Sequence, residues 1–137
     1  MGSFSLIGLK QLLDLSIFRT KVTDAGLKHL AGMKHLQKLE LRRTQVTDVG
    51  LKELVGLAQL QKLGLFRTKV SDVGLHDLAK LQQLQELNLR NTTVTDTGLK
   101  QLTGMQQLLR LDLDDTKVTA AGVAELQKAL LKCNICR

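Results

Sequence analysis

The sequence predicts an α/β solenoid in which short parallel strands stack on one side and short helices on the other. Three observations carry this. Thr20, Thr44, Thr68, Thr92 and Thr116 recur at a constant interval (44 − 20 = 24 residues), each followed two residues later by Val and six residues later by Gly. Each copy opens with an apolar-x-x-apolar-x-apolar core such as Leu36, Leu39, Leu41. Each closes with Thr/Ser-Asp-x-Gly-Leu-x-x-Leu, in which only Ala120 replaces the Asp and Val123 the leading Leu. A fixed period of this length marks a stacked repeat array.

Within one copy, Leu39-Glu40-Leu41 alternates with a period of two and predicts a half-buried strand. The second half predicts a short helix. Thr23, Thr47, Ser71, Thr95 and Thr119 are suitable N-caps, because a hydroxyl accepts from the orphan amides of a first turn. Asp24, Asp48, Asp72 and Asp96 then fall in that turn, where a carboxylate complements the positive end of the helix dipole. Val22 and Leu27 occupy the hydrophobic-staple positions, and the pairing repeats through the chain. Gly32, Gly56 and Gly104 are expected to end the helices in the left-handed conformation that glycine adopts without penalty; Lys80 departs from this. One strand and one helix cannot bury their apolar faces alone, whereas stacked copies share a continuous core.

These motifs resemble the leucine-rich repeat family, specifically its longer helical subtypes: the cysteine-containing repeats of F-box proteins, the ribonuclease-inhibitor type and many bacterial tandem arrays. The resemblance covers nearly the whole chain. It implies a right-handed solenoid, α/β in class, with the parallel sheet on the concave face and the helices on the convex face. Thr stands where the family usually carries the Asn or Cys of an internal ladder, and a hydroxyl can still donate and accept in such a ladder. Secreted members commonly carry disulfide-bonded caps, and two cysteines at one end do not make that framework. An intracellular, cytoplasmic setting is therefore expected.

Length and composition bound the rest. A chain of 137 residues with 43% apolar residues is one domain with a packed core. No apolar run reaches the roughly 18 residues of a membrane span. The expected organisation is a partial N-terminal repeat over residues 1–11, five repeats over 12–131 and a partial C-terminal strand over 132–137, with Ile135 on the strand-leucine position of a sixth copy. Leu6, Ile7 and Leu9 show no polar cap, and an exposed core edge there predicts self-association through the N-terminal end. Cys133 and Cys136 form a lone C-x-x-C. The redox and zinc readings lack supporting ligands, extended positions three apart are too distant for a disulfide, and two end-capping cysteines are the preferred reading.

Nothing in the chain assembles a nucleophile with a base, so no catalytic residue, metal ligand or cofactor is assigned. His29, His35 and His76 occupy different repeat positions and read as solvated helix-face residues. The informative columns are those expected to project from the concave face, since strand side chains alternate. The first reads Phe18, Arg42, Phe66, Arg90, Asp114; the next reads Arg19, Arg43, Arg67, Asn91, Asp115; the column between the leucines reads Ser16, Glu40, Gly64, Asn88, Asp112. The result is a basic stripe with an acidic block in the fifth copy. Exposed Phe beside Arg is the usual make-up of an interface hot spot. Phe18, Arg19, Arg42, Arg43, Phe66, Arg67 and Arg90 are therefore the expected contacts of a non-enzymatic protein-recognition module with an acidic or amphipathic protein partner. The alternatives are a structural spacer within a larger protein and, third, a nucleic-acid binder. The net charge of +7 invites the last, but much of the lysine is scattered over helix faces and turns, where it reads as solvated surface.

Overall fold

Leu36, Leu39 and Leu41 are fully excluded from solvent, and the same holds of nearly every leucine at equivalent positions in the following copies. This burial fixes which way each strand faces. The structure is a computed structural model that describes residues 11–17 and 21–137. It contains strands β1 (Asp14–Ser16), β2 (Lys38–Glu40), β3 (Lys62–Gly64), β4 (Glu86–Asn88), β5 (Arg110–Asp112) and β6 (Asn134–Cys136), which form one parallel sheet in chain order. Leu15, Leu39, Leu63, Leu87, Leu111 and Ile135 lie side by side in register. Helices α1 (Asp24–Leu27), α2 (Asp48–Leu51), α3 (Asp72–Leu78), α4 (Asp96–Leu99) and α5 (Ala120–Ala129) provide the crossovers.

Each helix begins one residue after the Thr or Ser expected to cap it, and all five cap residues are extended. Capping by the hydroxyl is made at Thr47, Thr95 and Thr119, while Thr23 and Ser71 show no such bond. After one α turn, α1, α2 and α4 tighten into 3₁₀ segments at Lys28–Leu30, Lys52–Leu54 and Lys100–Leu102. Such tightening is a common way for a helix end to satisfy its carbonyls. α3 stays α-helical to Leu78 and is followed by the divergent Lys80.

The recurrent Asp does more than complement a dipole. Asp24 Oδ1 accepts the Thr47 N–H at 2.7 Å and Oδ2 accepts its hydroxyl at 2.5 Å. Asp48 binds Ser71, Asp72 binds Thr95 and Asp96 binds Thr119 in the same way. Each carboxylate thus joins its own helix start to that of the following copy. It lies directly over the next copy's glycine: a Cβ on Gly50 would strike Asp24, and Gly74, Gly98 and Gly122 meet Asp48, Asp72 and Asp96 likewise. Asp, hydroxyl and Gly therefore recur together because they meet across every junction.

Two readings of the sequence change or sharpen in the structure. The Thr at the family's ladder position, whose hydroxyl can donate and accept, bonds within its own copy, Thr44 Oγ1 donating to the Leu41 carbonyl at 2.7 Å, with Thr68, Thr92 and Thr116 bonding Leu65, Leu89 and Leu113. The carbonyl three residues back is the near acceptor, and it satisfies the buried hydroxyl. The second concerns Gly32, Gly56 and Gly104: among the described residues no glycine has positive φ. The left-handed residues are instead Arg43, Arg67, Asn91 and Asp115, with φ of 59°, 58°, 54° and 58°. There the chain turns out of the sheet, and in that conformation the Arg43 N–H still donates to the Phe66 carbonyl at 2.8 Å and the Arg67 N–H to Arg90 at 3.0 Å. The continued ladder holds a backbone that L-residues disfavour.

Replacing Asp72 with Ala removes two charge-assisted hydrogen bonds to Thr95 and should cost about 2 kcal/mol in urea denaturation; a loss indistinguishable from that of an exposed surface substitution would dismiss the junction role. For Asp96, the side-chain and then the backbone hydrogen bond from Thr119 lower the carboxyl pKa below 3.8. Its contribution is present above that value and lost as pH falls through the lower folded pKa, so the difference in melting temperature between parent and Asp96→Asn should shrink as the solution is acidified below about pH 4. Arg67→Gly relieves a left-handed arginine and should raise stability by about 0.5–1 kcal/mol.

Candidate functional site

Strand alternation sends the leucines inward and leaves two columns on the open face of the sheet. Register sets Lys38, Lys62 and Glu86 side by side, and Glu40, Gly64 and Asn88 beside one another. Just past the strand ends, Arg42, Phe66 and Arg90 continue the pattern at the same spacing. The face is thus a three-by-three array whose central position is Gly64. A shallow depression opens there, lined in part by Lys38, Glu40, Lys62, Glu86, Asn88 and Arg110.

At the end of the array the chain leaves the sheet in a shared manner. Glu40 Oε1 accepts the Arg42 N–H at 3.1 Å, Asn88 Oδ1 accepts the Arg90 N–H at 3.0 Å, and Asp112 Oδ1 accepts the Asp114 N–H at 3.2 Å. A polar side chain at this position satisfies the amide two residues on, which is the usual role of Asn and Asp at turns. The turn then places the Phe66 ring between two guanidinium groups, with Arg43 Cζ 5.7 Å and Arg90 Cζ 5.5 Å from its centroid. Cation–π contacts of this kind contribute about 0.5–1 kcal/mol each at exposed sites.

Of the expected contacts, the structure brings Arg42, Arg43, Phe66, Arg67 and Arg90 to one edge of the sheet face, while Phe18 and Arg19 lie outside the described residues. Phe66 is half-buried rather than exposed, because the two arginines cover its faces. Strands of only three residues also change the geometry: Arg43 and Arg67 belong to the left-handed turn and do not alternate with the strand as expected. Arg90 is drawn toward the acidic fifth copy, its Nε lying 3.9 Å from Asp112 and 3.7 Å from Asp114. Neither contact is within hydrogen-bond distance, and Nε is buried without a hydrogen-bond partner among the described residues. Arg42, Arg43 and Arg67 are the exposed members.

Sequence reasoning passed over Lys38 and Lys62. They stand two residues before Glu40 and Gly64, so the same alternation that picked out the central column places them on the same face. Lys62 pairs with Glu86 at 3.7 Å, both side chains being about half exposed (48% and 46%), and a pair so open to water contributes little stability. His29, His35 and His76 are all exposed. Cys133 and Cys136 are free thiols, and burial, then the neighbouring Cys136, pushes the Cys133 thiol up to about 11. A thiol held protonated is a poor nucleophile and metal ligand, and Cys133 packs in the core. Among the described residues there is no grouping of His, Cys, Asp and Glu able to hold a metal ion, and no helix is long and apolar enough to cross a membrane.

Comparison with known proteins agrees with this geometry. A family model described as Leucine Rich repeat matches residues 32–55 and 80–102. No curated protein matches the chain. Among solved structures, the chain is similar to the internalin inlF of Listeria monocytogenes, with a TM-score of 0.76 and 26% identity over 93% of this chain and 35% of that one. It is likewise similar to the internalin C2 of the same organism, with a TM-score of 0.74 and 28% identity over 95% of this chain and 54% of that one. A Leptospira interrogans leucine-rich repeat protein, at 24% identity and a TM-score of 0.66 over 96% of this chain and 38% of that one, shares the fold. The chain spans between about a third and about a half of the length of these proteins. With a 24-residue repeat, a parallel strand and a short helix per copy, and the matches above, the chain has the fold of a leucine-rich repeat solenoid.

Proposed function

We propose that the chain is a non-enzymatic protein-recognition module that uses the open face of its sheet. Leucine-rich repeat folds commonly serve as protein–protein interaction modules. The observation that carries the proposal is the Phe66 ring between Arg43 and Arg90, an aromatic anchor with cationic neighbours at the edge of a shallow depression. Aromatic and arginine side chains held in place by packing concentrate binding energy, because little conformational entropy remains to be lost. Arg42 and Arg67 extend the cationic surface, and Phe18 and Arg19 fall in the same columns of the sequence. The partner that fits is an acidic or amphipathic protein segment. A nucleic-acid partner is disfavoured by Asp112, Asp114 and Asp115 at one end of the same face, which would repel a phosphate backbone. The unpaired thiols favour a reducing, intracellular setting.

A spacer role is the second reading, favoured by the charge pairs within the face, Lys62 with Glu86 and Arg90 with Asp112 and Asp114. The two readings differ in what Phe66→Ala does. A recognition face loses about 2 kcal/mol of partner binding on that change, with a smaller loss of folding stability from the two ring contacts. A spacer recovers the same proteins from host lysate with the variant as with the parent. Arg67→Ala, a change at an exposed side chain, should slow association and flatten its dependence on salt if the arginines act by steering. Self-association through Leu6, Ile7 and Leu9, which lie outside the described residues, should give a mass that rises with concentration in light scattering; a constant monomer mass would remove it.

A further inference from the structure

Gly64 leaves the centre of the open face without a side chain, and the space is already taken. A Cβ on Gly64 would run into Glu40, whose carboxylate carbon and both oxygens lie over the glycine backbone. The other members of this column behave differently. Asn88 and Asp112 bond the amide two residues on with short side chains that stay on their own strand. Glu40 makes that bond with one oxygen, and its extra methylene carries the group sideways onto β3, which is possible only because position 64 has no side chain. Lys38 and Arg42 flank Glu40 along its own chain, Lys62 and Arg110 also line the depression, the Arg90–Phe66–Arg43 stack follows Gly64 at the turn, and the opposing charges on the lining are Glu86, which pairs with Lys62, and Asp112, which lies by Arg90.

Resting on the recognition reading above, we infer that the depression over Gly64 is a carboxylate subsite of the partner-binding face, filled in the free chain by Glu40 as an internal stand-in for an Asp or Glu side chain of the partner. The pit accommodates a carboxylate, because one lies in it. Lys38, Lys62 and Arg110 on its lining offer a carboxylate cationic partners. Among the described residues the Glu40 carboxylate accepts one hydrogen bond, from the Arg42 N–H at 3.1 Å, so an incoming acidic side chain displaces it at small cost and leaves it to swing toward solvent. Gly64 determines the specificity of the position: any larger residue closes the pit to both groups.

The test titrates the full chain with a short poly-L-glutamate peptide and, in parallel, with poly-L-lysine. Glu40→Ser empties the pit and removes a competing like charge, so poly-glutamate should bind about tenfold more tightly than to the parent, with no gain for poly-lysine. Glu40→Gln still fills the pit and should gain less. The double change Glu40→Ser with Gly64→Ala should lose the gain, since the Cβ occupies the vacated space, and thermal melts confirm that each variant is folded. Glu86→Gln removes the same charge from the same face without opening the pit and should gain little. Unchanged affinity in Glu40→Ser, an equal gain in Glu86→Gln, or a gain that survives Gly64→Ala would each overturn the subsite. If Phe66→Ala abolishes partner capture while Glu40→Ser leaves poly-glutamate binding unchanged, the recognition face stands and the subsite falls. If Glu40→Ser gains as expected while Phe66→Ala leaves capture intact, the pit takes a carboxylate but the recognition face, and the pit's place in it, fall.

Discussion

Successive copies are held in register by a carboxylate that belongs to one helix and serves the next. Asp24, Asp48, Asp72 and Asp96 each accept two hydrogen bonds from the following Thr or Ser, and the sheet on the opposite side depends on the spacing this sets. A strand of three residues supplies too few ladder bonds to define its own alignment, so the alignment must also be enforced on the helix side. Turn bonds between them add to it, such as the Gln45 N–H to the Val22 carbonyl and the Lys69 N–H to the Val46 carbonyl, each at 3.0 Å. Leucine burial drives the copies together without specifying register; the directional bonds specify it. In the fifth copy Ala120 stands where the Asp would be, so no carboxylate of that type projects beyond α5.

The open face inherits its character from these short strands. Because β2, β3 and β4 end at Glu40, Gly64 and Asn88, the chain must turn at once, and it does so through a left-handed Arg43, Arg67 or Asn91 that keeps its amide in the ladder. Arginine in that conformation costs stability that Asn and Asp, which tolerate it better, partly avoid in the later copies. The turn also sets Arg43 against Phe66, so the site is half strand and half turn. Rigidity there comes from backbone bonds to neighbouring copies, which suits an anchor that must not reorganise on binding.

Most of the fold was legible because it is repeated. The interval between Thr20 and Thr116, the leucine spacing and the Thr/Ser-Asp-x-Gly string locate strands and helix starts, since each expresses a local preference: alternation for Leu39-Glu40-Leu41, capping for Thr47. The sheet-face columns followed from alternation as well, apart from Lys38 and Lys62, which the same rule reaches. What was misread depends on partners far away in sequence. Asp24 and Thr47 are 23 residues apart, so their bond cannot be seen in either copy alone, and the Asp was explained by its own helix dipole. Thr44, at the family's ladder position by resemblance, turns back on Leu41, its near acceptor.

The sequence by itself determined the period, the inward leucines and the composition of each outward column, because these rest on nearest-neighbour chemistry repeated along the chain. Only the tertiary structure decided what the columns do to one another. Gly32, Gly56 and Gly104 did not need their freedom, while Arg43 and Arg67 took the left-handed turn, since the ladder between copies outweighs the local preference of the residue. Phe66 became half-buried because arginines from the two neighbouring copies close over it, and Glu40 came to rest over Gly64 because lateral stacking brings a long carboxylate beside a missing side chain. Contacts between copies are set by register and side-chain reach, which a linear pattern does not contain.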